Sequence, residues 1–148
     1  MKDIFGNSIH IDITNQGLAI KEFKNKIILL NLSGSNICGP CSMAREPLSK
    51  IQKKYSNQIR VIEIIAQDIS SSELLDLVVN NNIDYPIVSF KNGEDFINAV
   101  IKKINKRTDM VPLPSLLVFD STGNVVNFRE GYLEFKTYNE LVKKILNK

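Results

Sequence analysis

A chain of 148 residues, with 43% hydrophobic and 24% charged side chains, has the make-up of a single globular domain that buries its own core. Its formal net charge of +3, from 19 basic and 16 acidic residues, is too small to argue for a nucleic-acid or membrane-surface partner. No apolar run approaches the ~18 residues of a membrane helix, and Met1-Lys2-Asp3 does not read as a secretory leader. From composition alone the expectation is a cytoplasmic protein, or a mature domain freed of its leader.

The first predicted element is a hairpin. Gly6-Asn7 is a turn pair, and Ser8 to Ile13 alternates polar and apolar at period two. That alternation puts His10, with Ser8 and Asp12, on the polar side, where a solvent-facing histidine is expected. Lys26 to Ser33 is a short continuous β-rich run and reads as a strand buried on both faces. A helix pattern follows, with Ala44, Leu48, Ile51 and Tyr55 on one face and Pro47 expected to kink it. Arg60 to Ala66 reads as a second buried strand, and Ser70-x-x-Glu73 is a capping box ahead of a second helix. The β-α-β order predicts a parallel pair with a right-handed crossover.

Tyr85 to Phe90 reads as a short strand or extended loop that begins at Pro86. Ile97, Val100, Ile101 and Ile104 mark a third helix. The basic patch beside it, Lys102, Lys103, Lys106 and Arg107, is expected to be a solvated helix face. Pro114 opens a strand from Ser115 to Phe119, Asp120 to Asn124 is a turn, and Val125 to Arg129 returns antiparallel. Thr137-x-x-Glu140 is expected to cap a last helix with Tyr138, Leu141, Val142, Ile145 and Leu146 turned inward. The sum is an α/β fold with a central mixed sheet flanked by helices, spanning residues 1–148 as one domain.

Chemistry concentrates in Cys38-Gly39-Pro40-Cys41, which holds both cysteines of the chain. A bridge across so short a loop restrains little of the unfolded chain, so stabilisation does not explain the pair. The motif lies between a buried strand and the helix after it. Unpaired N–H groups and the positive end of the helix dipole favour a thiolate there. Cys38, ahead of the first turn, is the expected exposed nucleophile. Cys41, one turn in, is the expected buried resolving thiol. Gly39 allows the tight turn, and Pro40 suits a first helical turn, where no N–H partner is lost. The two cysteines and the lone His10 fall short of the four ligands of a closed zinc site.

These residues resemble the thioredoxin superfamily, and within it the TlpA/ResA-like branch of bacterial envelope reductases. The similarity runs through nearly the whole chain: the opening hairpin and the strand Lys26 to Leu32, the Cys-Gly-Pro-Cys motif, Pro114-Ser115-Leu116-Leu117-Val118-Phe119-Asp120, Gly123 and Gly131. The resemblance implies a thioredoxin-like fold with an N-terminal β-hairpin and a helical insertion over Glu94 to Arg107. It implies that Pro114 is a cis-proline facing the cysteines, with Pro112 as the competing choice. Leu113 would then pair with a client strand, and Ile37 would offer an apolar contact surface.

The same resemblance implies a thiol–disulfide oxidoreductase, placed in the periplasm or cell envelope, that reduces protein disulfides and serves cytochrome c maturation. Its partners would be client proteins and a membrane thiol-reductant donor. It would act as a monomer, with no cofactor beyond the Cys38–Cys41 pair. Several positions depart from the family. Ile37 replaces the usual Trp, Leu32 and Ala44 stand where buried acids are found, Pro47 is one residue late, and Ser115 replaces Thr. The missing Trp and the missing acids motivate the alternative of a binding module that keeps the fold and holds a partner in the cleft near Ile37 and Pro114. A copper-delivery protein of the related Sco kind would need a histidine late in the chain, and none follows His10.

Overall fold

The computed structural model describes residues 1–14, 17–104 and 111–148. In chain order the elements are β1 (Ile11–Thr14), β2 (Gly17–Ile20), β3 (Ile27–Ser33), α1 (Gly39–Lys54), β4 (Ile59–Ile65), α2 (Ser71–Asn80), β5 (Ile87–Val88), α3 (Phe90–Lys103), β6 (Ser115–Phe119), β7 (Val125–Glu130) and α4 (Phe135–Leu146). β5-β4-β3-β6-β7 form one mixed sheet, and β1-β2 form a separate antiparallel pair. β3 runs parallel to β4 and antiparallel to β6, so it lies at the centre of the sheet. This is the thioredoxin-like arrangement that the sequence predicts.

All seven residues of β3 are buried because helices cover both faces of the sheet. Successive side chains alternate between two clusters. Ile27 and Leu29 pack with α1, α2 and α4, whereas Ile28, Leu30 and Leu32 pack with α3 and the β1–β2 hairpin. The α1 face of β3 therefore continues at Asn31 and Ser33, and that of β4 at Glu63, opposite Asn31 in the parallel register. A polar pocket forms where the apolar face would otherwise run on toward the active-site end.

Ser70 caps α2 as expected, its Oγ accepting the Glu73 N–H at 3.1 Å. Other boundaries differ from expectation. The first turn is closed by a single antiparallel bridge, Lys2 with Ser8, around the Asp3 carboxylate, which accepts the Phe5 and Asn7 N–H groups at 2.9 Å each. The regular hairpin comes later, as β1 with the unanticipated β2. Phe90 begins α3 and does not end a strand, because Ser89 caps the helix by accepting the Asn92 N–H. α4 begins at Phe135 on an N-cap, Glu134, that lies three residues before the expected cap Thr137 and whose side chain makes no capping bond. Tyr138, Leu141 and Val142 are buried in it, but Leu146 is exposed. α1 continues through Pro47, which leaves the Met43 carbonyl without its i+4 donor. Of the basic patch, Lys102 and Lys103 are exposed; Lys106 and Arg107, and the end of the helical insertion, lie outside the described residues.

Glycine is required where the hairpin meets the sheet. The Leu18 N–H donates to the Gly123 carbonyl at 2.7 Å, and Gly123 itself has φ +91°. A Cβ on Gly17 would lie 2.1 Å from the Gly123 oxygen, a backbone atom that cannot swing aside.

Candidate active site

Cys38 is the N-cap of α1, with extended backbone (φ −74°, ψ 99°), and its Sγ accepts the Cys41 N–H at 3.3 Å. Pro40 occupies the first helical turn. The sulfur thus receives one of the orphan N–H groups of the helix and faces the positive end of its dipole, an arrangement that favours a thiolate on reduction. Cys38 and Cys41 are joined as a disulfide with their Cα atoms 5.2 Å apart. Cys38 is half-buried and Cys41 is fully buried, the asymmetry expected of an attacking and a resolving thiol.

Two loops complete the site. Ser33 ends β3, and the Gly34 N–H donates to Cys41 Sγ at 3.2 Å. From the other side, the Leu113–Pro114 peptide is cis, and the Leu113 carbonyl oxygen lies 3.9 Å from Cys38 Sγ. Pro114 is buried, and its carbonyl accepts the Gly131 N–H at 2.8 Å. Pro112, the competing choice, is exposed and its carbonyl accepts from Ser115 Oγ. Ile37 is 93% exposed beside the motif, an uncompensated apolar surface at the mouth of the site. Gly39 and Pro40 are also exposed. All seven sequence-predicted site residues therefore fall on the two loops and the helix start that surround the disulfide. His10 is exposed and bonds to Glu22.

Sequence reasoning left this site without a charged group, since Leu32 and Ala44 are apolar and buried and Glu46 is exposed. The structure supplies a different one. Arg45 and Glu63, both with fully buried side chains, form an ion pair with Nε 3.0 Å from Oε1. The same carboxylate accepts from Ser33 Oγ and, through Oε2, from the Tyr85 hydroxyl at 3.0 Å. Burial, and then the adjacent Glu63 charge, push the Tyr85 hydroxyl well above its ordinary pKa of 10. The signal in the sequence was Glu63 itself, a carboxylate in the middle of a strand read as buried. Such a charge requires a partner, although nothing local names Arg45.

No protein-family model matches the chain. It is 26% identical over 141 residues to the thiol–disulfide oxidoreductase ResA of Bacillus thuringiensis subsp. konkukian, covering 94% of this chain and 75% of that one. A thioredoxin-family thiol:disulfide interchange protein from Chlorobium tepidum superposes with a TM-score of 0.71 at 17% identity, covering 93% of each chain. A secreted Mycobacterium tuberculosis disulfide oxidoreductase, homologous to the DsbE of E. coli, superposes with a TM-score of 0.69 at 11% identity, covering 97% of this chain and 92% of that one.

Proposed function

Since the chain is a TlpA/ResA-like thiol–disulfide oxidoreductase of the thioredoxin superfamily, we propose that it works as a reductase of client-protein disulfides, with Cys38 as nucleophile and Cys41 as resolving thiol. The observation that carries this reading is the placement of Cys38 Sγ. It takes a helix N–H from Cys41 and lies 3.9 Å from a loop carbonyl, that of Leu113, beside the exposed Ile37.

The reaction runs in two exchanges. The Cys38 thiolate attacks one sulfur of a client disulfide; the bond between Cys38 and that sulfur forms, and the other client sulfur leaves as a thiolate. Cys41, as a thiolate, then attacks Cys38 Sγ and releases the second client sulfur. Two electrons pass to the client, the two client thiolates take up protons from water, and the Cys38–Cys41 disulfide remains. No group beyond the dithiol is needed. During the first exchange Ile37 and Leu113 hold the client segment, Ile37 by apolar contact and Leu113 through its backbone.

The setting proposed is the cell envelope, in line with the secreted Mycobacterium tuberculosis relative. The clients there would include apoproteins of cytochrome c, with a membrane thiol donor re-reducing the pair. The test is reduction of insulin by dithiothreitol in the presence of wild type or Cys38→Ser. Wild type should accelerate the reaction and the variant should not. Equal acceleration by both would remove Cys38 from the mechanism.

A further inference from the structure

The buried Arg45 guanidinium is surrounded by four acceptors. Nε donates to Glu63 Oε1 at 3.0 Å, and Nη2 donates to the Gly34 carbonyl at 2.7 Å and to Ser33 Oγ at 3.3 Å. Nη1 donates to Asn36 Oδ1 at 3.4 Å. Three of these groups belong to the end of β3 and the loop that leads from it into the cysteine motif. Arg45 also follows Cys41 by one helical turn, so the two share a face of α1.

Both peptides flanking Gly34 are held in place. The Ser33 carbonyl accepts the Ala66 N–H at 2.8 Å, which orients the Ser33–Gly34 peptide so that its N–H reaches Cys41 Sγ at 3.2 Å. The next peptide is held at both ends, its carbonyl by Arg45 at 2.7 Å and its Ser35 N–H by Gln67 Oε1 at 2.9 Å. Glu63 has both carboxylate oxygens engaged, by Ser33, Arg45 and Tyr85.

We propose that Arg45 is the positioning residue for the resolving thiol. It fixes the Gly34 loop so that a backbone N–H is aimed at Cys41 Sγ, and it places a cation one turn from that sulfur. Donor and cation both favour the Cys41 thiolate over the thiol. This chain thus eases the second exchange by stabilising the attacking anion. The inference rests on the exchange chemistry proposed above.

Stabilising a thiolate stabilises the reduced protein, so loss of Arg45 should favour the disulfide. The experiment equilibrates wild type, Arg45→Met, Arg45→Lys and the double variant Arg45→Met/Glu63→Gln with glutathione buffers. Arg45→Met should shift the equilibrium constant about tenfold toward the disulfide, about 30 mV for a two-electron couple. In a Cys38→Ser background it should raise the Cys41 thiolate midpoint, followed by absorbance at 240 nm, by about one pH unit. Arg45→Lys, which keeps the charge but cannot reach four acceptors, should fall between. A merely structural arginine would lower the melting temperature of both redox forms and leave the equilibrium constant alone. If Arg45→Met does not fold, the double variant, which leaves no unpaired buried charge, should shift in the same direction by more than twofold but less than tenfold, because it also removes the Glu63 anion that opposes the thiolate. Folded variants within twofold of wild type in equilibrium constant overturn the role of Arg45 and leave the exchange chemistry standing. A wild type that never equilibrates with glutathione or dithiothreitol overturns both.

Discussion

The carbonyl oxygen of Leu113 lies 3.9 Å from Cys38 Sγ, although 75 residues separate the two in the chain. Central β3 brings them together. It delivers the cysteine motif at its C-terminal end and pairs antiparallel with β6, whose first residue, Ser115, lies opposite Leu32. The wall of the site is thus set by sheet register, and Ile37 projects beside it with 93% of its surface exposed.

That exposure leads to the first prediction. Ile37→Ser should leave folding stability within about 0.5 kcal/mol of wild type, because the side chain packs on little. It should raise KM for insulin about tenfold, since burying an aliphatic side chain against a client is worth about 1.5 kcal/mol or more. Exchange with a small disulfide such as oxidised glutathione should be unaffected. Steady-state kinetics with the two substrates check this.

A second prediction concerns Gly17. Alanine there places Cβ 2.1 Å from the Gly123 carbonyl oxygen, and the φ of +155° already disfavours a side chain. Gly17→Ala should destabilise the protein by roughly 2 kcal/mol or more, read as a lower urea midpoint. The glutathione equilibrium should not move, because the hairpin packs on the α3 face of the sheet and Arg45 and the Gly34 loop lie on the α1 face.

The buried pair gives a third. Glu63→Ala leaves the Arg45 guanidinium, with its fully buried side chain, facing no counter-charge and should cost about 3–5 kcal/mol. The double variant Arg45→Met/Glu63→Leu removes both charges and should recover most of that loss. A double-mutant cycle in urea measures the coupling.

A fourth follows from the two buried tyrosines. Burial and the Glu63 charge raise the Tyr85 and Tyr138 hydroxyls above their ordinary pKa of 10. The folded protein therefore holds these protons at a pH where the unfolded chain releases them. Their contribution to stability is complete below pH 10 and falls as pH rises through and above it. Absorbance at 295 nm should show the phenolates of Tyr85 and Tyr138 appearing only with alkaline unfolding. Replacing both by Phe should flatten the decline in stability above pH 10.

Elements with strong local signals were legible in the sequence. The apolar run of β3, the Ser70 cap and the helix start at Cys-Gly-Pro-Cys each rest on side chains within a few residues of one another. β2 was not legible, because four residues carry little periodicity and its place depends on Gly17 meeting Gly123 in a distant turn. The start of α4 was not legible either, since Glu134 caps it without a side-chain bond and the Thr137 pattern drew the boundary three residues late. In the site, the cysteines and Pro114 could be read from motif and resemblance. Arg45 could not, because its partner Glu63 is set by how α1 packs across β3 and β4, which no local pattern encodes.

The most direct test of the account is trapping. Cys41→Ser protein, reduced and mixed with insulin, should accumulate a mixed disulfide through Cys38, identified by mass spectrometry of the non-reduced complex, because no resolving thiol remains. Cys38→Ser should form little or none through the buried Cys41. Equal trapping by the two variants, or none by Cys41→Ser, would contradict the assignment of Cys38 as the attacking sulfur.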